Sequence, residues 1–185
     1  MTARPSPGTH RPATGRWLLD PATADVAFSG RATRLSPLVR ARFTGVRGCV
    51  VAGPDGTTVE VEIDVRTMTS DNRAYDELLA AVDPFSVEQF PGAHYRGSAG
   101  DWREGAATVH GALALRGVVQ PVVLRARHSA SRLGDRLVVQ AEGDVDPTAF
   151  GVRLDLPGAG LLVPRRLRLA IRVEAVAEQA VLVAA

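Results

Sequence analysis

The sequence predicts an all-β protein, an extended eight-stranded antiparallel barrel with one short helical insert, and three observations lead to this prediction. Apolar and polar residues alternate with period two along most of the chain, as in strands with one buried face. A single segment has helical spacing, and glycines and prolines separate the alternating segments. Closure into a barrel removes the unpaired edges of so many antiparallel strands, although a flattened sandwich also fits the pattern.

The alternation is clearest in three segments, residues 57–65, 136–145 and 166–175. In the first, valine or isoleucine fills every second position from Val59 onwards, and acidic residues fill the positions between. One face of each strand is therefore expected to meet the core and the other face water.

Weaker strand candidates lie at 24–30, 38–52 and 93–100. The second is longer than most strands, so it is expected to bend near Gly45 or Gly48, because glycine is unfavourable in a strand unless a bend or a close approach uses the missing side chain.

A hairpin is predicted around the Arg116-Gly117 turn, with a strand through Leu115 before it. The returning strand is expected at 121–129, after a somewhat long connection. Gly111 and Gly143 fall on inward-facing positions, which favours a barrel wall that is thin at these points and surrounds an open interior.

The one helix is predicted over about 71–82. Ser70, Asp71 and Asn72 are all good N-caps, and Pro84 marks the end of the segment.

The chain is expected to form one domain, residues 17–178, between an N-terminal tail at 1–16 and a C-terminal tail at 179–185. Within the domain, 146–151 is expected as a short turn or helical loop and 153–163 as a loop, because glycine and proline punctuate it.

Composition excludes several classes of function. The formal net charge of +2 is too small to indicate nucleic-acid binding, and the single Cys49 excludes an internal disulfide and a cysteine-based zinc cluster. No apolar run is long enough to span a membrane and no export signal is visible, so a soluble cytoplasmic protein is expected. Aromatic residues make up only 5%, so an aliphatic interior is expected to be underfilled unless loops or a guest occupy it.

The sequence shows no catalytic machinery. His110 and His128 flank the predicted hairpin but have no third ligand at a convincing spacing, so no metal is expected. Asp76 and Glu77 diverge around the helix axis and do not form a facing acid–base pair. No phosphate loop or dinucleotide fingerprint is present, so no cofactor is expected.

Four blocks of sequence, in order, resemble the YceI-like family of polyisoprenoid-binding, lipocalin-like proteins over residues 17–177. They are "WLLDPATADVAF" at 17–28, "VRARF" at 39–43, "NRAYDELLAAVDPFSVEQFP" at 72–91, and the run formed by Gly111, Leu113, Gly117, Val118, Pro121 and Val122, which is followed later by Phe150-Gly151. The resemblance implies a lipocalin-like barrel with a long apolar channel that holds an isoprenoid chain.

The chain departs from the family pattern at polar positions. Thr23-Ala24 replaces the usual His-Ser, Tyr75 replaces Arg, Leu78 replaces His and Pro147 replaces Arg. If these groups orient a ligand head in the family, this chain is expected to take a less polar or differently shaped molecule.

The predicted function is therefore a carrier that sequesters a long apolar small molecule, of polyisoprenoid or isoprenoid-quinone type, inside the barrel. Burial of a ~15-carbon chain at ~0.8 kcal/mol per methylene would exceed the cost of association. The residues expected to line the channel are Phe28, Phe43, Val61, Ile63, Leu79, Phe85, Leu113, Phe150, Leu169 and Ile171. The residues expected to supply polar contacts near its mouth are Tyr75, Asp76 and His128.

Two other hypotheses remain open from the sequence. One is a cavity enzyme, of cyclase or isomerase type, that folds a flexible apolar substrate and needs only shape and one or two polar groups. The other is a structural or stress-associated homodimer whose barrel is filled by its own side chains. Plain core packing is also an alternative role for each predicted channel residue.

Overall fold

The computed structural model describes residues 11–31, 38–70, 72–131, 134–153, 155–156, 160–161 and 164–178. The strands are β1 (Gly15–Leu19), β2 (Asp25–Gly30), β3 (Val39–Phe43), β4 (Val46–Gly53), β5 (Gly56–Asp64), β6 (Met68–Ser70), β7 (Gly92–Ala99), β8 (Ala106–Leu115), β9 (Val118–Ala130), β10 (Arg136–Val145), β11 (Asp155–Leu156), β12 (Gly160–Leu161) and β13 (Leu167–Ala177). The helix is α1 (Arg73–Val82), and short 3-10 turns span Val65–Thr67 and Pro147–Phe150.

Eight antiparallel strands close into the predicted barrel, in the order β1-β4-β5-β7-β8-β9-β10-β13, and β13 pairs back onto β1. Strands β2, β3 and β6 add to the wall beside β13, because β2 pairs with β13 and β3 pairs with both β2 and β6. β11 and β12 form a separate two-stranded sheet. The closed ladder confirms the barrel and rules out the sandwich.

The barrel places alternate residues of each strand on the inside, as the period-two pattern predicts. On β10, for example, the inward side chains of Leu137, Ala141 and Val145 are 1%, 7% and 8% exposed. No helix among the described residues is long and apolar enough to cross a membrane.

The predicted hairpin is tighter than expected. Leu115 pairs with Val118, so the connection is the two-residue Arg116-Gly117 turn, with φ of 52° and 74°. Positive φ at both positions gives the strand twist that suits a two-residue hairpin. The expectation of a longer connection was wrong because Pro121, read as the start of the return strand, lies inside β9.

The long segment 38–52 bends where predicted, since β3 ends at Phe43 and β4 begins at Val46. Gly48 serves a different need, a close approach between β4 and β5. A Cβ atom at Gly48 would lie 2.1 Å from the carbonyl oxygen of Glu60, so only glycine fits.

Gly48→Ala is expected to lower the free energy of unfolding by about 1–3 kcal/mol, because the added methyl group overlaps backbone that cannot turn aside. Chemical denaturation would measure the change. Gly100→Ala is the matched control, because a Cβ atom there meets no atom within 4 Å. Equal stability of the two variants would contradict the close packing of β4 on β5.

The helix follows its predicted start and end. Asn72 is the N-cap, and its side chain accepts hydrogen bonds from the backbone amides of Ala74 and Tyr75. The last helical residue is Val82, two before Pro84. The predicted helical turn in 146–151 is the 3-10 turn Pro147–Phe150.

The folded region begins slightly before the predicted domain boundary. β1 starts at Gly15, and the guanidinium of Arg11 donates hydrogen bonds to the carbonyl oxygens of Gly53, Pro54 and Gly100. Residues 1–10, the whole predicted C-terminal tail at 179–185 and six residues of the predicted 153–163 loop lie outside the described residues. The described part of that segment includes β11 and β12, so the prediction of a loop throughout was wrong where these two strands pair.

Candidate ligand-binding lumen

The barrel encloses a cavity of about 160 Å³, called the lumen below. Of the 27 described residues that line it, only Tyr95 has a polar side-chain atom; the others are valine, leucine, isoleucine, alanine, phenylalanine and proline. Several inward side chains along it, including Val61, Leu113 and Ile171, are only partly buried, because they face this space and not other side chains. The lumen therefore offers contact area to an apolar guest and almost no hydrogen bonding.

The hydroxyl of Tyr95 is already used by the wall itself. It donates a hydrogen bond to the carbonyl oxygen of Val122 at 3.2 Å, and the carbonyl oxygen of Val109 lies 3.5 Å from the same hydroxyl. The ring lies in a recess left by Gly97 and Gly111, where added Cβ atoms would come within 2.8 Å and 2.5 Å of it. Tyr95 thus lies against the wall and leaves the lumen free for a guest.

This packing corrects the interpretation of the inward glycines. The space above Gly111 is filled by Tyr95, and the space above Gly143 is filled by Leu124, whose Cδ2 atom lies 2.7 Å from an added Cβ. These glycines make room for neighbouring side chains of the wall, so they do not widen the lumen.

Burial raises the pKa of Tyr95 to about 12. A tyrosine in the unfolded chain ionises near pH 10. Because the folded-state pKa is the higher of the two, this group leaves stability unchanged below about pH 10 and lowers it as the pH rises towards 12. In a pH titration of the folded protein followed by tyrosinate absorbance, Tyr95 should therefore contribute no signal near pH 10, so the titrations of the wild type and Tyr95→Phe should coincide there. A transition near pH 10 that is present in the wild type and absent in Tyr95→Phe would show that the ring is exposed.

Three phenylalanines surround one end of the lumen, which we call the phenylalanine end. The ring centroids of Phe28 and Phe43 are 5.5 Å apart, and those of Phe43 and Phe85 are 6.3 Å apart in an edge-to-face arrangement. All three rings line the lumen and remain partly exposed. Contacts of this geometry hold aromatic rings in place without polar groups.

The loops at the phenylalanine end are tied to the hairpin tip. The guanidinium of Arg116 donates to the carbonyl oxygen of Gly151 and, at 3.2 Å, to the hydroxyl of Ser86. These bonds connect the segments that contribute Pro147 and Phe85 to the lumen.

The opposite end, the tryptophan end, is filled. Trp17 and Trp102 are 3% and 8% exposed, and neither lines the lumen. The indole Nε1 of Trp102 donates to the buried Thr57 hydroxyl at 2.9 Å, and that of Trp17 donates to the carbonyl oxygen of Ala13 at 3.0 Å. Leu137 completes this layer with an exposure of 1%.

Residues 17–175 match the family model of the YceI-like domain. The chain belongs to the YceI-like family. The match spans nearly the whole region over which the sequence resembles the family, and it confirms that resemblance.

Solved structures with the same fold include BcnA from Burkholderia cenocepacia, with a TM-score of 0.71, 16% identity, and coverage of 84% of this chain and 98% of that one. A polyisoprenoid binding domain from Saccharophagus degradans, implicated in plant cell wall breakdown, has a TM-score of 0.66, 13% identity, and coverage of 87% and 98%. The Campylobacter jejuni YCEI protein has a TM-score of 0.63, 17% identity, and coverage of 79% of this chain and 88% of that one. At these identities the likeness shows the fold alone. No curated protein matches the sequence.

Eight residues predicted to line the channel of this YceI-like protein do face the lumen. They are Phe28, Phe43, Val61, Ile63, Phe85, Leu113, Leu169 and Ile171. They come from five strands and the loop after α1, so the fold brings them together from distant parts of the sequence. Their contact with a ligand stays a prediction.

The other five predicted residues do not line the lumen. Phe150 is 2% exposed and packs in the core, and Leu79 is buried on α1. Tyr75 and Asp76 also lie on α1, where the Asp76 carboxylate accepts a hydrogen bond from the backbone amide of Ser70 at 2.8 Å.

His128 faces inward but at the tryptophan end, with its ring 4.9 Å from that of Trp102. His110, by contrast, is exposed on the outer face of β8, so the hairpin does not bring the two histidines together. Among the described residues, no group of three potential ligands could hold a metal ion. Cys49 is buried, as a structural cysteine would be.

Sequence reasoning missed Tyr95 and the way the tryptophans close one end. The available signal was the alternation of Tyr95 with Gly97 in a strand that was only a weak candidate. Pro147, named above as a departure from the family pattern, lies on the lumen wall, so it contributes hydrocarbon surface there.

Proposed function

We propose that this YceI-like protein binds and carries an apolar small molecule of isoprenoid type in its lumen. The observation that carries the proposal is the chemistry of the wall, in which 26 of the 27 lining residues that the structure describes have hydrocarbon side chains and the hydroxyl of Tyr95 is already hydrogen-bonded. Membership of the YceI-like family and the described fold of a polyisoprenoid binding domain support the ligand class.

Affinity in such a site comes from buried apolar area. Each methylene transferred from water contributes ~0.8 kcal/mol, and this gain must exceed the cost of association before binding is measurable. The proposed contacts are the eight predicted residues that face the lumen, with Phe28, Phe43 and Phe85 at the phenylalanine end. A polar end of the ligand gains nothing from this wall and stays outside it.

The enzymatic alternative receives no support from the described wall. Tyr95 is its only titratable side chain, and the pKa of about 12 keeps the hydroxyl neutral at physiological pH. Proton transfer is most effective near neutral pKa, so this group is poorly matched to acid or base catalysis.

Native mass spectrometry of freshly purified protein, followed by extraction of its lipids, tests the proposal. We expect an added mass that disappears on extraction and an extract that contains an isoprenoid. Stripped protein should regain the mass when incubated with that extract. Persistent absence of a guest, together with failure of stripped protein to take up farnesol or a short-chain isoprenoid quinone, would overturn the proposal.

A further inference from the structure

The lumen has different boundaries at its two ends. At the tryptophan end, the inward layer formed by Trp17, Thr57, Trp102, Leu137 and Ala175 is between 0% and 8% exposed, and none of these residues touches the lumen. The bond from Trp102 to Thr57 and the bond from Trp17 to Ala13 hold both indoles in place. At the phenylalanine end, by contrast, Phe85 and Pro147 belong to the lumen wall, so the lumen extends as far as the loop and the 3-10 turn at this end.

We infer that the lumen is a blind-ended channel that admits an apolar chain tail first through the phenylalanine end, and that the layer of Trp17 and Trp102 limits the length of chain it holds. This inference rests on the proposed function. It adds a direction of binding and a length limit, both of which follow from the closed layer and not from the identity of the ligand.

The strands set an upper limit on that length. On β10 the lining residues run from Val139 to Val145. Six steps of ~3.3 Å along a strand tilted by ~40° give roughly 15 Å along the barrel axis. An extended chain advances ~1.2 Å per bonded atom, so about twelve carbons reach from the phenylalanine end to the tryptophan layer.

The free volume sets a lower limit. At ~30 Å³ for a water-sized group, about 160 Å³ holds at least about five methylene groups before the wall has to spread. The affinity of a linear chain is therefore expected to stop rising between about five and about twelve carbons. A longer molecule leaves its remaining length, and any head group, outside the phenylalanine end.

Primary alcohols from hexanol to hexadecanol measure the length limit, through displacement of an apolar fluorescent probe from stripped protein. Each buried methylene raises affinity about fourfold, so a channel without a closed end would bind hexadecanol about 250 times more tightly than dodecanol. We expect the two to differ by less than about threefold. Affinity that continues to rise through hexadecanol would overturn the length limit while leaving the proposed function intact.

Tryptophan fluorescence measures the direction, because Trp17 and Trp102 are the chain's two tryptophans. Bromine quenches an indole only at short range, so 12-bromododecan-1-ol should quench strongly and 2-bromododecan-1-ol weakly. In Val61→Phe, whose larger ring occupies part of the lumen, both should quench less at the same alcohol concentration. Equal quenching by the two alcohols, or stronger quenching by the second, would overturn the inference; failure of all the alcohols to bind would overturn the proposed function with it.

Discussion

Val61→Phe is expected to reduce uptake of apolar guests by a factor on the order of ten or more, while the melting temperature stays the same or rises. Val61 faces the lumen from the middle of β5 and is only partly buried, so a larger ring there occupies the space a guest would use. Filling a genuine cavity typically stabilises a protein by ~0.5–2 kcal/mol. Probe binding and thermal unfolding on the same samples would measure both effects.

The matched control is Thr58→Phe, which places the same ring on the exposed outer face of the same strand. It should leave uptake unchanged. The opposite outcome for Val61→Phe, a large fall in melting temperature with uptake retained, would mean that the interior is solid at this position, since overpacking of a filled core costs about 1–3 kcal/mol.

Phe150→Ala is expected to have the largest effect on stability. The side chain is 2% exposed and packs in the core beside the lumen without lining it. Truncation of a buried phenylalanine costs about 3–5 kcal/mol, and each kcal/mol lowers the melting temperature of a domain of this size by roughly 2–4 °C. Uptake per folded molecule should change little.

Phe43→Ala provides the comparison, because Phe43 is partly exposed, lines the lumen and contacts both Phe28 and Phe85. It should lower stability less than Phe150→Ala and weaken uptake more. A Phe150→Ala protein that stays stable but loses its guest would restore Phe150 to the binding site, as the sequence alone suggested.

The strands were predictable because alternation reports directly which face of a strand is buried. The segment 136–145 matches β10 at both ends, and the inward and outward sets of β5 follow the pattern from Val59 onwards. Closure of the barrel followed from the need to pair strand edges. The family resemblance added the ligand class, which alternation alone does not contain.

The site was harder to predict, because alternation tells which side chains point inward but not how far along the barrel they lie. His128 points inward as expected, yet it lies beside Trp102 at the closed end. Phe150 precedes the left-handed Gly151 at the end of a 3-10 turn, so its side chain lies outside the alternating pattern. Asp76 fits the family motif, but here it joins α1 to β6 through the amide of Ser70.

The central claim is that the barrel has an empty apolar interior, and xenon tests it most directly. Dry cavities lined by aliphatic and aromatic side chains take up xenon, whereas close-packed cores do not. Crystals of stripped protein placed under xenon pressure should show bound atoms between Val61 and the ring of Phe43, inside the ring of lining residues. Crystals that take up xenon nowhere within the barrel would contradict the account.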